Sequence, residues 1–205
     1  MPSQPVRVHS VAEAYLVPMV RRCPVCDKGP VRARGDLTKT NTAEQRWTLD
    51  ACCDACGNEE TLDIRIDPDP TAEQAASEWI NPTGERSRVI DLLGWLTLFR
   101  SIHAAYEKET DKAEARRLAI ECAQCLDEAL RFYEPDNDLP PDDAFFTDEA
   151  RRRFSDHPQQ FARPRWQHER SQLPTVVFRT PSGLPHAARP WWRFWKRNPS
   201  GNQRI

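Results

Sequence analysis

Four of the seven cysteines form two matching pairs, and each pair has the spacing C-x-x-C. The pairs are Cys23 with Cys26 and Cys53 with Cys56. Each spacing places two thiolates on one tight turn, and two such turns supply the four ligands of a tetrahedral metal ion. Packed, reduced thiols or a redox pair are the alternatives. A short, weakly apolar segment can hardly form a core without a metal, so we expect one structural Zn²⁺, with iron as the competing ion.

Cys52 offers a competing choice of ligand, because Cys52 and Cys56 form a C-x-x-x-C pair. Cys53 is preferred, since it repeats the spacing of the first pair. Gly57 follows the second pair, at a position where backbone N–H groups turn toward the sulfur and a side chain is unwelcome. The equivalent residue after the first pair is Asp27, so the first turn departs from the usual form.

Two C-x-x-C knuckles separated by a strand-rich insert of 26 residues make residues 20–66 resemble the zinc-ribbon class. The resemblance implies β-hairpins that carry the knuckles at their tips and one bound metal ion. It does not imply one function, because ribbons occur in transcription and translation factors, in nucleic-acid enzymes and as structural braces. The resemblance does not extend to the rest of the chain.

Apolar residues around the knuckles alternate as they do in strands. Residues 46–51 and 61–66 each keep their large apolar side chains on one face. These side chains are Trp47, Leu49, Leu62, Ile64 and Ile66. Upstream, residues 1–20 predict a short helix, which Pro18 limits to two or three turns. We therefore place a zinc ribbon at residues 21–66, after a short N-terminal helix.

Residues 71–134 predict a helical domain. Residues 85–108 give its strongest helix, because apolar residues recur at alternating steps of three and four. A second helix begins after Asp111, which is a suitable N-cap, and ends before Pro135. The short link between the two helices demands an antiparallel αα-hairpin.

The first hairpin helix is apolar over more than one stripe. The surplus apolar residues are Leu93, Trp95, Leu98 and Ile102. One partner helix covers one stripe only, so this face needs a further cover. A short helix predicted at residues 71–80 or the N-terminal helix would provide it within the chain. A homodimer formed through the helical hairpin is the alternative.

Charge divides the C-terminal part of the chain. Residues 136–160 hold three Lys/Arg against seven Asp/Glu, whereas residues 161–205 hold nine against one. We predict an acidic linker at residues 135–160, with a short helix capped by Thr147, and then a basic, proline-rich tail with one β-like run at residues 175–179. The fold class is therefore α+β: a small β-rich zinc ribbon, an antiparallel helical hairpin and a largely irregular proline-rich tail.

The tail contains a cluster of aromatic and basic residues. Its members are Trp191, Trp192, Arg193, Phe194, Trp195, Lys196 and Arg197. Exposed tryptophan is costly in water, so the cluster should be covered. We predict that it binds a partner protein, because Trp and Arg are typical interface anchors. The chain's own acidic hairpin, an anionic membrane surface and single-stranded nucleic acid are the alternative covers.

Other residues that could carry chemistry have structural explanations. Cys122 and Cys125 lie three apart on the second hairpin helix, where free cysteines pack as small apolar groups. His103 lies in the apolar stripe of the first hairpin helix and is expected to pack there. The aspartates between residues 136 and 143 lack the glycine turn and terminal glutamate of a calcium loop, so we expect a solvated linker.

Known catalytic motifs are missing from the sequence. It contains no G-x-S-x-G, phosphate-binding glycine loop, H-E-x-x-H or dinucleotide fingerprint. A metal site closed by four thiolates offers no open position for water or substrate. We therefore predict a non-enzymatic zinc-binding adaptor or scaffold. A nucleic-acid-associated zinc-ribbon protein and an enzyme of unidentified type are the alternatives.

The cellular setting follows from the cysteines and the N-terminus. Seven cysteines leave one without a disulfide partner, and residues 1–20 contain no uninterrupted apolar run typical of a secretory signal. The longest apolar stretch, residues 92–99, is too short to span a bilayer. We expect a cytoplasmic protein, because C-x-x-C pairs in a reducing compartment bind metals more often than they form disulfides.

Overall fold

Residues around the two cysteine pairs form a four-stranded sheet. The strands are β1 (Val6–Val8), β2 (Val31–Asn41), β3 (Arg46–Cys53) and β4 (Glu59–Ile66). Their order across the sheet is β1-β4-β3-β2. β1 runs parallel to β4, and the other neighbours are antiparallel. The computed structural model describes residues 4–41, 45–67 and 79–175.

The predicted alternation in β3 and β4 is confirmed. Leu49, Leu62, Ile64 and Ile66 are buried, and Trp47 is half-buried. One side of the sheet is thereby apolar, as expected for strands of period two. The sequence does not predict β1 or β2 as strands, because neither segment shows a long alternation of apolar and polar side chains.

The N-terminal helix, α1 (Val11–Val20), packs on this sheet and forms the same compact unit with it. Ser10 caps α1 by accepting the Glu13 N–H at 2.9 Å, and the Glu13 carboxylate accepts the His9 N–H at 2.6 Å. Tyr15 accepts the Leu37 N–H through its hydroxyl at 2.8 Å, which ties α1 to β2. The sheet therefore has an apolar cover that the ribbon segment alone does not contain.

The second compact unit begins at Thr83 and is built on a helical hairpin. Its helices are α2 (Leu92–Tyr106) and α3 (Lys112–Leu130). Asp111 caps α3 by accepting the Glu114 N–H at 2.8 Å, as predicted. The predicted start of the first hairpin helix at residue 85 is wrong, because Asp91 accepts the Gly94 N–H at 2.8 Å and begins α2 seven residues downstream.

Most of the wide apolar face of α2 is buried within one chain. Trp95 and Ile102 have no exposed surface and Leu98 is also buried, whereas Leu93 is half-buried. The Phe99 ring contacts the Trp166 ring edge to face, with centroids 6.1 Å apart. The apolar face of α2 therefore does not require a second copy of the chain to bury it. The homodimer stays a prediction, and the burial of this face does not support it.

The chain downstream of the hairpin is more regular than expected. It contains 3₁₀ turns at Asp142–Ala144 and Pro158–Phe161, and two further helices, α4 (Asp148–Asp156) and α5 (Arg163–Ser171). Thr147 caps α4 by accepting the Ala150 N–H at 3.1 Å, as predicted.

The expectation of extended chain beyond Pro158 is wrong for residues 158–171. Pro158 and Pro164 stand in the first turns of their helices, where proline needs no backbone N–H partner. Phe161 and Trp166 are buried, and the Tyr133 hydroxyl donates to the Phe161 carbonyl at 2.7 Å. Burial of these two aromatic side chains therefore overrides the weak periodicity of the segment.

The fold class is mixed α+β, as expected. The helix predicted at residues 71–80 and the β-like run at 175–179 lie almost entirely outside the described residues. The tail cluster at residues 191–197 lies outside them completely. Within the described part of the chain, no helix has the length and apolar character needed to cross a membrane.

Candidate metal centre

The structure brings the sulfurs of Cys23, Cys26, Cys53 and Cys56 into one group. The four Sγ atoms lie within 4.8 Å of one another. Cys23 and Cys56 are 3.6 Å apart at sulfur, and Cys26 and Cys53 are 3.7 Å apart. A tetrahedral zinc ion with Zn–S bonds of ~2.3 Å requires sulfur–sulfur distances of about 3.8 Å. The group could therefore hold one metal ion.

These distances do not fit disulfides, which need about 2.0 Å between sulfurs. All seven cysteines are free thiols in the structure. Each of the two close sulfur contacts joins one knuckle to the other, so both knuckles are needed to form the group of four. Such an arrangement serves a shared ion better than it serves two separate redox pairs.

The two knuckles have the same backbone geometry. The Cys23 carbonyl accepts the Asp27 N–H, and the Cys53 carbonyl accepts the Gly57 N–H, both at 2.9 Å. In each knuckle the N–H of the first cysteine donates to the carbonyl five residues on, at 2.8 Å in both cases. Asp27 has φ 54° and Gly57 has φ 76°. Asp27 therefore differs from the usual glycine in residue type but keeps the same backbone conformation. Aspartate tolerates the left-handed conformation better than most residues do.

Strand pairing positions the knuckles at one end of the sheet. Cys53 is the last residue of β3 and pairs with Val31, the first residue of β2. The Asp54 N–H donates to the Pro30 carbonyl at 3.0 Å, which joins the second knuckle to the approach to β2. Cys23 packs with Val31 and Cys53 in a small buried cluster. Sequence analysis missed these supporting residues, because no local pattern pairs Pro30 with the second knuckle.

Exposure differs across the sulfur group. Cys23 and Cys53 are buried, Cys26 is half-buried and Cys56 is exposed. The buried pair packs with Val31 and Ala51, which are residues of β2 and β3, and the second cysteine of each knuckle is more exposed. A metal ion held here would be anchored to the sheet by two ligands and closed over by the other two.

The backbone already favours thiolate at one ligand. The Cys26 N–H is the main reason why the pKa of the Cys23 thiol is lowered to about 7. The Asn58 N–H lowers the pKa of Cys56, but the neighbouring sulfur of Cys26 and local desolvation outweigh it and raise that pKa to about 12. Four thiolates at this separation repel one another, so full ionisation of the set calls for a cation among them.

Cys52 lies outside the sulfur group. It is buried, and its Sγ lies 3.7 Å from the Gly57 carbonyl oxygen and 3.8 Å from the Cys53 carbonyl oxygen. The strand alternation of β3 explains the difference, because adjacent residues face opposite sides. Cys52 therefore points away from the group that Cys53 joins.

The remaining chemical candidates are placed elsewhere. Cys122 and Cys125 are fully buried in α3, and burial raises the pKa of Cys122 to about 12. His103 is half-buried in α2 between the rings of Phe99 and Tyr106, with centroids 5.4 Å and 5.8 Å away. Both placements agree with the packing roles expected for these residues.

The acidic linker shows ion pairing with the protein itself. Asp143 accepts from the Arg86 guanidinium at 2.6 Å, which lowers the pKa of that carboxyl. Within the described residues, the only group of His, Cys, Asp or Glu side chains close enough to hold a metal is the set of four cysteines. The predicted partner-binding residues 191–197 lie outside the part of the chain that the structure describes.

Comparisons with protein-family models, with curated proteins and with solved structures find no match for this chain. The interpretation of the site therefore depends on its own geometry. That geometry consists of four convergent sulfurs, two equivalent knuckles and a sheet that supports them.

Proposed function

We propose that this chain is a non-enzymatic adaptor whose β-rich unit is braced by one Zn²⁺ on Cys23, Cys26, Cys53 and Cys56. The observation that carries the proposal is the convergence of the four sulfurs within 4.8 Å. Four protein thiolates complete the coordination of zinc and leave no position for water or substrate. The metal then stabilises structure and takes no part in catalysis. A reducing compartment such as the cytoplasm suits this site, because its thiols stay reduced.

Zinc is preferred to iron on chemical grounds. Tetrahedral thiolate sets accept both metals. Zinc has no redox chemistry and no geometric preference of its own, so it suits a purely structural site. An iron-loaded site would be recognised at once by its visible absorption, and zinc has none.

The metal proposal is tested by elemental analysis of the purified full chain. We expect one zinc per chain, and Cys53→Ser should reduce the zinc content to well below half of that value. Cys52→Ser is the matched control, because the neighbouring thiol lies outside the sulfur group and its loss should leave the zinc content unchanged. A metal-free chain, or equal zinc loss in both variants, contradicts the proposal.

The adaptor role rests on the tail and on the closed metal site. Residues 161–205 carry nine Lys/Arg and one Asp/Glu, and residues 191–197 combine three Trp with three cations. Trp and Arg are enriched among the residues that dominate binding energy at protein interfaces. We infer that this segment binds a partner protein, while the zinc-braced unit and the helical unit supply the folded body.

The partner proposal is tested by pull-down with the full chain and with a chain that ends at residue 185. We expect truncation to remove the bound partner, and alanine at Trp191, Trp192 and Trp195 to do the same in the full-length chain. Retention of every partner by both variants overturns the adaptor role. Salt-sensitive retention of a single-stranded oligonucleotide by the full chain, lost on truncation, would replace it with the nucleic-acid alternative.

A further inference from the structure

Three aromatic side chains of α2 line a pocket in the helical unit. Phe99, His103 and Tyr106 recur at steps of four and three, so they lie on one face of that helix. The ring centroid of His103 lies 5.4 Å from that of Phe99 and 5.8 Å from that of Tyr106. The pocket has a volume of about 480 Å³, which lies within the range of small-molecule sites.

The pocket has a buried floor and an exposed rim. Phe99 and Ala119 are buried, and Tyr106 is half-buried. Gln172 and Pro174, which follow α5, also line the pocket and are exposed. The helices α2 and α3 and the chain after α5 therefore enclose a space that a ligand can enter from solvent.

The described lining of the pocket is acidic. Glu169 of α5 belongs to it and is half-buried. Within the described residues, no hydrogen bond or ion pair engages the Glu169 carboxylate. Glu107 places a second carboxylate nearby, because its Oε1 lies 3.8 Å from Nδ1 of His103. No lysine or arginine is present among the described lining residues, so the pocket suits a positively charged ligand.

Two arginines lie beside lining residues in the sequence, and both have other partners. The guanidinium carbon of Arg100 lies 5.3 Å from the centre of the Trp166 ring. Arg170 pairs with Asp127 at 2.7 Å and also donates to the Pro174 carbonyl at 3.2 Å. The Asp127 carboxylate therefore neutralises the guanidinium at the rim, and the second contact of Arg170 holds the rim in place.

We propose that this pocket binds an ammonium group that carries methyl substituents. The negative face of an aromatic ring attracts a cation that lies over it, and this attraction is strongest where water is excluded. Methyl groups pack against the rings and against Leu173, while the Glu169 carboxylate supplies the opposite charge. The group belongs either to a free quaternary amine or to a methylated lysine side chain, and the chemistry of recognition is the same.

Other ligand classes fit the lining less well. A neutral ligand would cover the half-buried Glu169 carboxylate without compensating its charge. A primary ammonium is strongly hydrated and carries three donors, whereas Glu169 is the only carboxylate of the described lining. A metal ion needs several ligands, and within the described residues the four cysteines are the only such group of His, Cys, Asp or Glu.

The test follows the amide resonances of the isotopically labelled full chain by NMR titration at fixed ionic strength. The small probes are choline and its neutral analogue, in which a tert-butyl group replaces the trimethylammonium group. We expect choline to shift the resonances of residues 99–106 and 169–173 and to bind about tenfold or more tightly than the neutral analogue.

A peptide with trimethyllysine, compared with the same peptide with unmodified lysine, distinguishes the two sources of the group. The trimethyllysine peptide should bind more tightly than the unmodified one. Tighter binding of the trimethyllysine peptide than of choline identifies a methylated protein as the source, and the reverse identifies a small molecule.

Three variants test the lining. Glu169→Gln should weaken choline binding about fivefold and leave binding of the neutral analogue unchanged. Glu134→Gln is the matched control, because this exposed glutamate lies outside the lining and its loss changes the net charge equally. It should alter affinity less than twofold. Tyr106→Leu keeps an apolar side chain without the ring and should weaken choline binding about threefold or more.

Equal affinity for choline and its neutral analogue overturns the proposal, and this comparison requires no variant. Equal losses in Glu169→Gln and Glu134→Gln would show attraction by overall charge only and also overturn it. Absence of binding by choline and by the trimethyllysine peptide, or shifts confined to residues outside the pocket, has the same meaning. The four cysteines belong to the other compact unit, so unchanged zinc content in each variant separates this result from the fate of the metal proposal.

Discussion

At the scale of single residues, spacing alone was enough to select the four sulfurs that the structure brings together. Cys53 joins the group and Cys52 does not, because adjacent residues of a strand face opposite sides. The backbone conformation at Asp27 could not be predicted from residue spacing. An aspartate there departs from the expected glycine, yet both knuckles use the left-handed region. Hydrogen bonds within the knuckle determine that backbone conformation, and the residue type changes only the free energy that the conformation costs.

Gly57→Ala tests how much the left-handed conformation matters. No atom lies within 4 Å of an added Cβ at this position, so the cost should be conformational, about 1–2 kcal/mol in the free energy of unfolding. The matched control is Gly84→Ala, where the added Cβ also meets open space but φ is not positive. Urea unfolding of both variants measures the difference. If Gly57→Ala costs no more than Gly84→Ala, the knuckle does not depend on the left-handed residue.

At the scale of elements, helix caps were more predictable than helix starts inferred from periodicity. Asp111 and Thr147 were identified because each places an acceptor before a helical run, and both accept the expected N–H. The start of α2 was misplaced because apolar periodicity continues through residues 85–91. Ser87 accepts the Ile90 N–H at 2.9 Å there and holds a non-helical turn.

The helix α5 shows a different limit of sequence reasoning. Prolines at 158 and 164 suggested extended chain, although proline in a first helical turn is tolerated. Only long-range burial distinguishes the two outcomes. Trp166 is buried against Phe99, a partner 67 residues away, and no local pattern reveals that contact.

Asp91 gives an element-scale prediction about pH. It caps α2 and also accepts the Phe146 N–H at 3.1 Å, and burial raises the pKa of its carboxyl. A raised folded-state pKa means that the folded chain holds this proton more tightly than the unfolded chain. The carboxyl's contribution to stability is therefore full at and below its unfolded pKa near 3.8 and falls as pH rises through the folded pKa.

The test compares Asp91→Asn with the unsubstituted chain by urea unfolding, followed by helical circular dichroism between pH 4 and pH 7. Asn cannot ionise, so the stability advantage of the unsubstituted chain should shrink as pH rises. Thr147→Asn is the control, because it also places Asn at an N-cap but removes no ionisable group, so its difference from the unsubstituted chain should stay level. A difference for Asp91→Asn that grows with pH is incompatible with the burial argument.

At the scale of the whole molecule, the two units draw their stability from different sources. The helical unit buries large aromatic side chains such as Trp95, Phe145 and Phe161. The β-rich unit has an apolar core where α1 covers the sheet, and a separate small cluster beside the knuckles. The expectation that the ribbon segment depends on a metal for its stability did not account for α1. The sequence does not show that this flanking helix packs on the sheet and buries its apolar side.

Metal removal should therefore have a graded effect, which hydrogen exchange can resolve. With a chelator present, the thiolates lose their shared ion, and the N–H groups of Asp27 and Gly57 should exchange at least tenfold faster. Amides of Leu49 and Ile64 should keep most of their protection, because α1 still covers that part of the sheet. Helical circular dichroism should change little, since α2 and α3 have their own core.

Added Zn²⁺ should restore protection of the knuckle amides, and Cys53→Ser should resemble the chelated chain without any chelator. Cys122→Ser controls for loss of a thiol, because that residue packs in α3 and lies outside the sulfur group. Simultaneous loss of protection at the knuckles and at Leu49 and Ile64 would mean that the metal supports the entire sheet. In that case the apolar core under α1 is too small to persist alone, as expected for units with fewer than about 80 residues.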